Sequence, residues 1–337
     1  MITVNLQAPG QIGIREAPEP APAPGEALLR VRAAGVCGSD IGAFRGSNPL
    51  VTYPRVLGHE LACEVVSIPD NPRGIRPGDA VAVDPDLYCG HCYPCSVGRT
   101  NCCAELRVLG VHCDGGMAEY FAHPADMLLK LPAGLDWERA ALAEPLAIAL
   151  HGLRRAALRA GEHIAISGAG PIGLLAALAA LRIGASPILI DPLEQRLEAA
   201  RRLGVRHALC PGPELAGEVA AITGGRMAEA VMEASGAASA VAATLALASH
   251  AGRVVLTGWP KEAITLDTAA VTRKELDVRG ARTSGAAELE EALSLIAGGG
   301  VDAPALLSRV IPAAELPGAI REMSDRPELF MKVVATF

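Results

Sequence analysis

From about His163 onward the chain alternates short apolar runs with longer amphipathic stretches. HIAISG is a compact β-run, PIGLLAALAALRIG is built from strong helix formers, and ILID is a second strand. LEQRLEAARRLG is a helix stopped by glycine, and HALC is a third strand. EAVMEASG, RVVLTG and LDVRGA then repeat the pattern of a buried strand ending in a turn residue. Six such strands separated by helices predict an α/β domain with a doubly wound parallel sheet.

The first half has a different texture. β-rich runs such as Ala27 to Val31 and Leu61 to Ile68 are broken by PAPAPGE and RGIRPGD, and RPGD turns into the strand AVAV. This predicts a strongly bent, mostly antiparallel β-rich domain. Beyond about Thr283 come a helix in AAELEEALSLIAGG, the run LLSRVI, a further helix and a closing strand in MKVVATF. That stretch is expected to return to the first domain. There are no internal repeats or heptads.

A chain of 337 residues fits about two domains. It is 50% apolar and 20% charged, as in soluble globular proteins. The start, MITVNLQAPG, has no basic region followed by an apolar run, and Pro171 to Leu181, the longest apolar stretch, is too short to span a bilayer. These features predict a cytoplasmic protein without a membrane partner. The net charge of −7 argues against nucleic acid, whose binding rests on neutralised phosphates. Nine cysteines in such a chain are reduced thiols or metal ligands.

Gly168-Ala169-Gly170-Pro171-Ile172-Gly173 follows a predicted strand and opens a predicted helix, and Asp191 ends the next strand. In that context a G-x-G-x-x-G turn is a Rossmann dinucleotide fingerprint. Its glycines allow backbone to approach a pyrophosphate at a helix N-terminus, and the aspartate accepts from ribose hydroxyls. A carboxylate at Asp191 favours NAD over NADP, although Arg196 lies close enough in sequence to serve a 2′-phosphate.

Cys89-x2-Cys92-x2-Cys95-x7-Cys103 supplies four thiolates for one tetrahedral zinc. Such a closed site staples a lobe too small for its own core. Cys102 is an alternative fourth ligand on spacing alone. Further ligand types occur at Cys37 in GVCGSD, His59 and Glu60 in LGHE, and Glu144 in LAEPLA. Each alone is ordinary; beside the thiolate lobe and the dinucleotide turn they become candidates for a catalytic zinc with an open position.

These motifs, in this order, resemble the zinc-containing medium-chain alcohol dehydrogenases over essentially the whole chain, and most of all the sorbitol, polyol and sugar-acid dehydrogenases. The resemblance implies a GroES-like catalytic domain from residues 1–148 and 283–337 carrying both zincs. It also implies a Rossmann domain from 149–282, a substrate cleft between them, and a homodimer or homotetramer. It implies a catalytic zinc on Cys37 and His59, with Glu60 and Glu144 as direct or water-mediated ligands. Ser39 would hydrogen-bond the reacting oxygen and Asp40 would orient His59. Many relatives carry a relay histidine where this chain has Gly42, so the proton must leave by another route. NPLVTYPRVLGHE, CGHCYPCSVG and GVHCDGG are similar to the branch acting on hexonates such as galactonate or gulonate. Arg282 falls near an arginine of that branch and is a candidate for gripping a substrate carboxylate. The expected substrate is therefore a small polyol or sugar acid. The rivals are threonine dehydrogenase, another zinc alcohol dehydrogenase, or a catalytically silent zinc- and nucleotide-binding regulator.

Overall fold

A computed structural model describes all 337 residues. They form two compact units. One comprises Met1–Glu144, Gly285–Gly299 and Leu306–Phe337; the other comprises Pro145–Ser284 and Gly300–Ala305. No helix is long and apolar enough to cross a membrane.

The first unit is built on a seven-stranded sheet. Glu26–Gly35 lies at its centre, antiparallel to Glu60–Ser67 on one side and to Lys332–Thr336 on the other. Ala80–Val83 and Leu128–Lys130 extend it past Glu60–Ser67, Leu307–Pro312 extends it past Lys332–Thr336, and Tyr120–Pro124 pairs with the early half of Glu26–Gly35. The central strand pairs with three others because Tyr120–Pro124 takes its residues 26–30 and Lys332–Thr336 its residues 33–35, and its pairing with Glu60–Ser67 carries register shifts between Leu28 and Leu29 and between Val31 and Ala33. Its core holds Leu6, Leu29, Val31, Leu57, Val81, Met117, Leu128 and Val333, each wholly or almost wholly buried.

The second unit is a six-stranded parallel sheet in the order His207–Leu209, Ser186–Ile190, His163–Ser167, Ala228–Glu233, Ala248–Leu256, Asp277–Gly280. This is the doubly wound order, with the first strand in the middle. The helix Pro171–Ile183 starts with proline in its first turn, where the missing amide costs nothing, and stops at Gly184 in the left-handed region, φ 84°. Eight of its residues are buried, as its run of Leu and Ala dictates.

Candidate active site and metal centres

The central strand of the first unit delivers the first cluster. Cys37 lies two residues past its end and caps the helix Gly38–Phe44. His59 immediately precedes the neighbouring strand, which Glu60 starts, and Glu60 pairs with Gly35. One ligand atom each from Cys37, His59 and Glu60 comes within 4.8 Å of the other two. Glu144, in the first turn of the helix Ala143–Arg155, is not in that trio but is buried close enough to act electrostatically on His59.

The cluster holds more polar atoms than it satisfies. His59 Nδ1, Ser39 Oγ, Asp40 Oδ1 and Glu144 Oε2 are buried without a hydrogen-bond partner. The other oxygen of Asp40 accepts the Cys37 amide at 2.9 Å, so Asp40 fixes the loop carrying Cys37 and acts on His59 through charge alone. Burial pushes the Asp40 carboxyl up against the pull of His59. Burial likewise takes Glu144 up to about 8, with His59 opposing and Glu60 adding to the rise. Burial works against a charged His59, yet Cys37, Asp40 and Glu144 outweigh it and raise its pKa well above the ordinary value. A site this rich in negative groups, with orphaned donors and acceptors, calls for a cation.

The second cluster lies in the loop after Asp86–Leu87. The sulfurs of Cys92 and Cys95 are 3.5 Å apart, those of Cys89 and Cys103 3.5 Å, and those of Cys92 and Cys103 3.8 Å. Thiolates about 2.3 Å from a tetrahedral ion lie about 3.8 Å from one another. All nine cysteines are free thiols, and the fourth member of the quartet is Cys103, not its neighbour Cys102. Backbone amides reinforce the set: Cys89 and Glu105 both donate to Cys103 Sγ at 3.3 Å. The amides of Ala104 and Cys95 pull Cys92 down to about 6, near the thiolate form that binds metal.

The glycine turn occupies the carboxyl end of the first parallel strand. Gly168 has φ 99°, and a Cβ on Gly173 would lie 1.8 Å from the Gly168 carbonyl oxygen, so neither position admits a side chain. Gly170 caps the helix beginning Pro171-Ile172-Gly173. Asp191 accepts the Ala169 amide at 2.7 Å and has Arg196 Nη1 at 3.7 Å. Arg282 is exposed beyond the last strand, Asp277–Gly280.

The profile of the alcohol dehydrogenase GroES-like domain matches residues 23–133, and that of the zinc-binding dehydrogenases matches residues 171–298. An uncharacterised zinc-type alcohol dehydrogenase-like protein of Haemophilus influenzae is 51% identical over 99% of this chain and 98% of its own. The L-galactonate-5-dehydrogenase of Escherichia coli K12 is 36% identical over the full length of both chains. The chain belongs to the zinc-binding alcohol dehydrogenases. The crystal structure of an alcohol dehydrogenase from Escherichia coli CFT073, solved with NADH, superposes with a TM-score of 0.93 at 32% identity, covering 100% of this chain and 99% of that one.

Both donor sets suit the metal of a zinc-binding dehydrogenase. The lobe offers four sulfurs at near-tetrahedral spacing and leaves no open position; Cys37 and His59 offer one soft and one borderline donor beside unsatisfied polar atoms, as a site that admits substrate requires. The sequence pattern overlooked three residues that build this dehydrogenase. Lys332 is 2% exposed, and its Nζ lies 2.5 and 2.8 Å from the two Glu60 oxygens. A lone lysine opening the apolar strand KVVAT was the available signal. Gly35 makes room for Glu60: a Cβ there would fall 2.0 Å from Glu60 Oε2. Glu233, fully buried at the end of its parallel strand, accepts the amides of Ser235 and Gly236 at 2.8 and 3.1 Å. It thereby fixes the turn that packs against Gly168.

Proposed function

We propose that this dehydrogenase oxidises a secondary hydroxyl of a polyol or sugar acid and passes the hydride to NAD, using two zincs per chain. The observation that carries the reading is the trio Cys37, His59 and Glu60 with the unpartnered Ser39 hydroxyl beside it. The full-length similarity to an L-galactonate-5-dehydrogenase supports the substrate class. Zinc, when bound, lowers the pKa of an alcohol so that it can be oxidised as its alkoxide.

The chain's own residues supply the rest. Cys37 and His59 hold the metal, and Glu144 stands by as a buried carboxyl. Ser39 Oγ, which has no partner within the protein, would accept a hydrogen bond from the substrate hydroxyl and, on taking that proton, give its own to water, since Gly42 replaces the relay histidine. Asp40 holds the Cys37 loop and, as a negative charge, keeps His59 basic. The glycine turn, with Asp191 at its side, binds the dinucleotide. Arg282 pairs with a substrate carboxylate, and the quartet Cys89, Cys92, Cys95 and Cys103 braces the lobe. With only ten aromatic residues in the whole chain, a substrate pocket walled by aromatic rings is disfavoured, and polar contacts, which select hydroxyl-rich ligands, hold the substrate instead.

A panel of hexonates, pentitols, hexitols, threonine and short alcohols, followed by NADH absorbance, tests the proposal. Hexonates should turn over best, and Arg282→Ala should erase their advantage over the matching polyols. Fast ethanol or threonine oxidation without any on polyols or aldonates would refute the substrate class. No turnover of any alcohol would favour a silent regulator.

A further inference from the structure

The thiolate lobe carries a second set of ligand atoms on its exposed side. His91 lies between Cys89 and Cys92 in the chain, and Glu105 lies two residues past Cys103. One ligand atom each from Cys89, His91 and Glu105 comes within 4.8 Å of the other two. Cys89 therefore belongs to two groups, the quartet and this trio. The side chains of His91 and Glu105 are 73% and 69% exposed. A cavity of about 300 Å³ opens beside them, with Cys89, Glu105 and Asp126 in its wall.

The histidine is oriented as a metal donor. Its Nδ1 lies 2.9 Å from the carbonyl oxygen of Cys89, which can only accept, so Nδ1 carries a proton and the neutral ring keeps a bare lone pair on Nε2. Histidines that hold metals are oriented in this way, by an acceptor on the other ring nitrogen. Nε2 is 3.9 Å from Glu105 Oε1, and two acceptors that face each other have only a proton or a metal ion to share. The quartet adds its own attraction. Four thiolates around one divalent ion leave a net negative charge, and their sulfurs keep lone pairs for a second ion. Cys103 is buried, whereas Cys89 is half-buried and adjoins the cavity. A closed tetrahedral site has no vacancy, so its ion exchanges only as outside donors replace thiolates one at a time.

We propose that Cys89, His91 and Glu105 form an outer zinc site through which the ion of the lobe enters and leaves. The proposal rests on the reading of the four cysteines as zinc ligands. Cys89 shares its thiolate between the two sites, His91 supplies Nε2 and Glu105 one carboxylate oxygen, and water from the cavity fills the remaining places. On entry Cys89 keeps its bond while Cys92, Cys95 and Cys103 replace His91, Glu105 and water. Any cysteine that arrives as a thiol gives its proton to solvent.

The holoenzyme tests the site and the passage separately. Dialysis against micromolar zinc chloride should add one zinc per chain to those already held. His91→Ala should abolish the addition and Glu105→Gln should weaken it; both side chains are largely exposed, so neither change disturbs the fold. Cobalt(II) chloride in place of zinc should give a sulfur-to-cobalt charge-transfer band that is absent in His91→Ala. For the passage, His59→Ala, which keeps the lobe zinc alone, is incubated with isotopically enriched zinc, desalted, and its isotope content read by mass spectrometry. Adding His91→Ala should slow incorporation about tenfold or more, the scale on which neighbours of metal ligands act, with the melting temperature unmoved. Equal zinc uptake by wild type and His91→Ala would overturn the proposal, as would incorporation at the same rate with and without His91. If His59→Ala holds no zinc, or a zinc that Cys92→Ser does not remove, the failure lies instead in the reading of the quartet.

Discussion

Asp191 holds the amide of Ala169 at 2.7 Å with one carboxylate oxygen, and with the other it accepts the amide of Leu193 at 2.9 Å. The end of the second parallel strand is thus tied to the glycine turn, and the carboxylate is 3% exposed and held in one place. A fixed carboxylate accepts from a ribose diol without reorganising, and it repels a phosphate on the same carbon. A hydrogen bond to a charged group is worth about 1.5–3 kcal/mol, which predicts a ten- to hundredfold preference for NAD over NADP in kcat/KM. Arg196, 3.7 Å away, is the counterweight. Asp191→Ala should remove most of the preference and Asp191→Ala/Arg196→Ala should weaken NADP again. Equal kcat/KM for the two cofactors in the wild type would show that the carboxylate does not discriminate.

Gly173→Ala should damage cofactor binding more than folding. Its methyl group would be driven against the Gly168 carbonyl at 1.8 Å, which forces the helix away from the strand and opens the turn. Overpacking of this kind costs about 1–3 kcal/mol, so the NADH dissociation constant should rise about tenfold or more in a fluorescence titration. An unchanged constant would mean that the turn relaxes freely, contrary to its tight packing.

The parts of this molecule that were legible in the sequence are those encoded locally. The glycine turn spans six consecutive residues, the thiolate lobe fifteen, and each parallel strand carries its own apolar run and turn. Cys37 and His59 became candidates because other motifs stood near them in the chain. Lys332 was invisible for the opposite reason: its partner is 272 residues away, and only the strand order brings them together. Gly35 carries no signal either, since its role is the absence of an atom that would collide with Glu60. The choice of Cys103 over Cys102 needed three dimensions as well. Adjacent residues in this turn direct their sulfurs differently, a distinction that spacing cannot make.

Asp84 makes stability depend on pH. It is 8% exposed, and burial together with the neighbouring Asp86 pushes its carboxyl up to about 7 from an ordinary value of 3.8. The folded state therefore keeps a proton that the unfolded chain has already released, and stability contributed by this group falls as pH rises from about 4 to about 7. At 1.36 kcal/mol per pH unit the full loss is about 4 kcal/mol at most. Asp84→Asn retains an acceptor for the Asp86 amide, now served at 3.2 Å, but has no charge to bury. Its melting temperature should exceed that of the wild type by several degrees at pH 8 and by clearly less at pH 5. Identical shifts at the two pH values would show that Asp84 is not the titrating group.

The two metal centres should come apart under mutation because they do different work. His59 is buried with a ligand atom near those of Cys37 and Glu60, and Asp40 and Glu144, each with an orphaned oxygen, act on it through charge, a donor set that suits a cation. His59→Ala should eliminate measurable turnover and reduce metal content from two zincs to one, while NADH binding and melting temperature stay near wild type, because the parallel sheet and its glycine turn form a separate compact unit. Cys92 belongs to a lobe whose helices are only three and four residues long, too short to stand without a staple. Removing one of its thiolates should lower the thermal midpoint and solubility first, with activity lost only as the protein unfolds. Atomic absorption, differential scanning calorimetry and steady-state kinetics on Cys92→Ser and His59→Ala distinguish these outcomes. Full activity of a metal-depleted His59→Ala enzyme would end the assignment of a catalytic zinc, whereas a Cys92→Ser protein as stable as the wild type would deny the lobe its bracing metal and leave the catalytic site untouched.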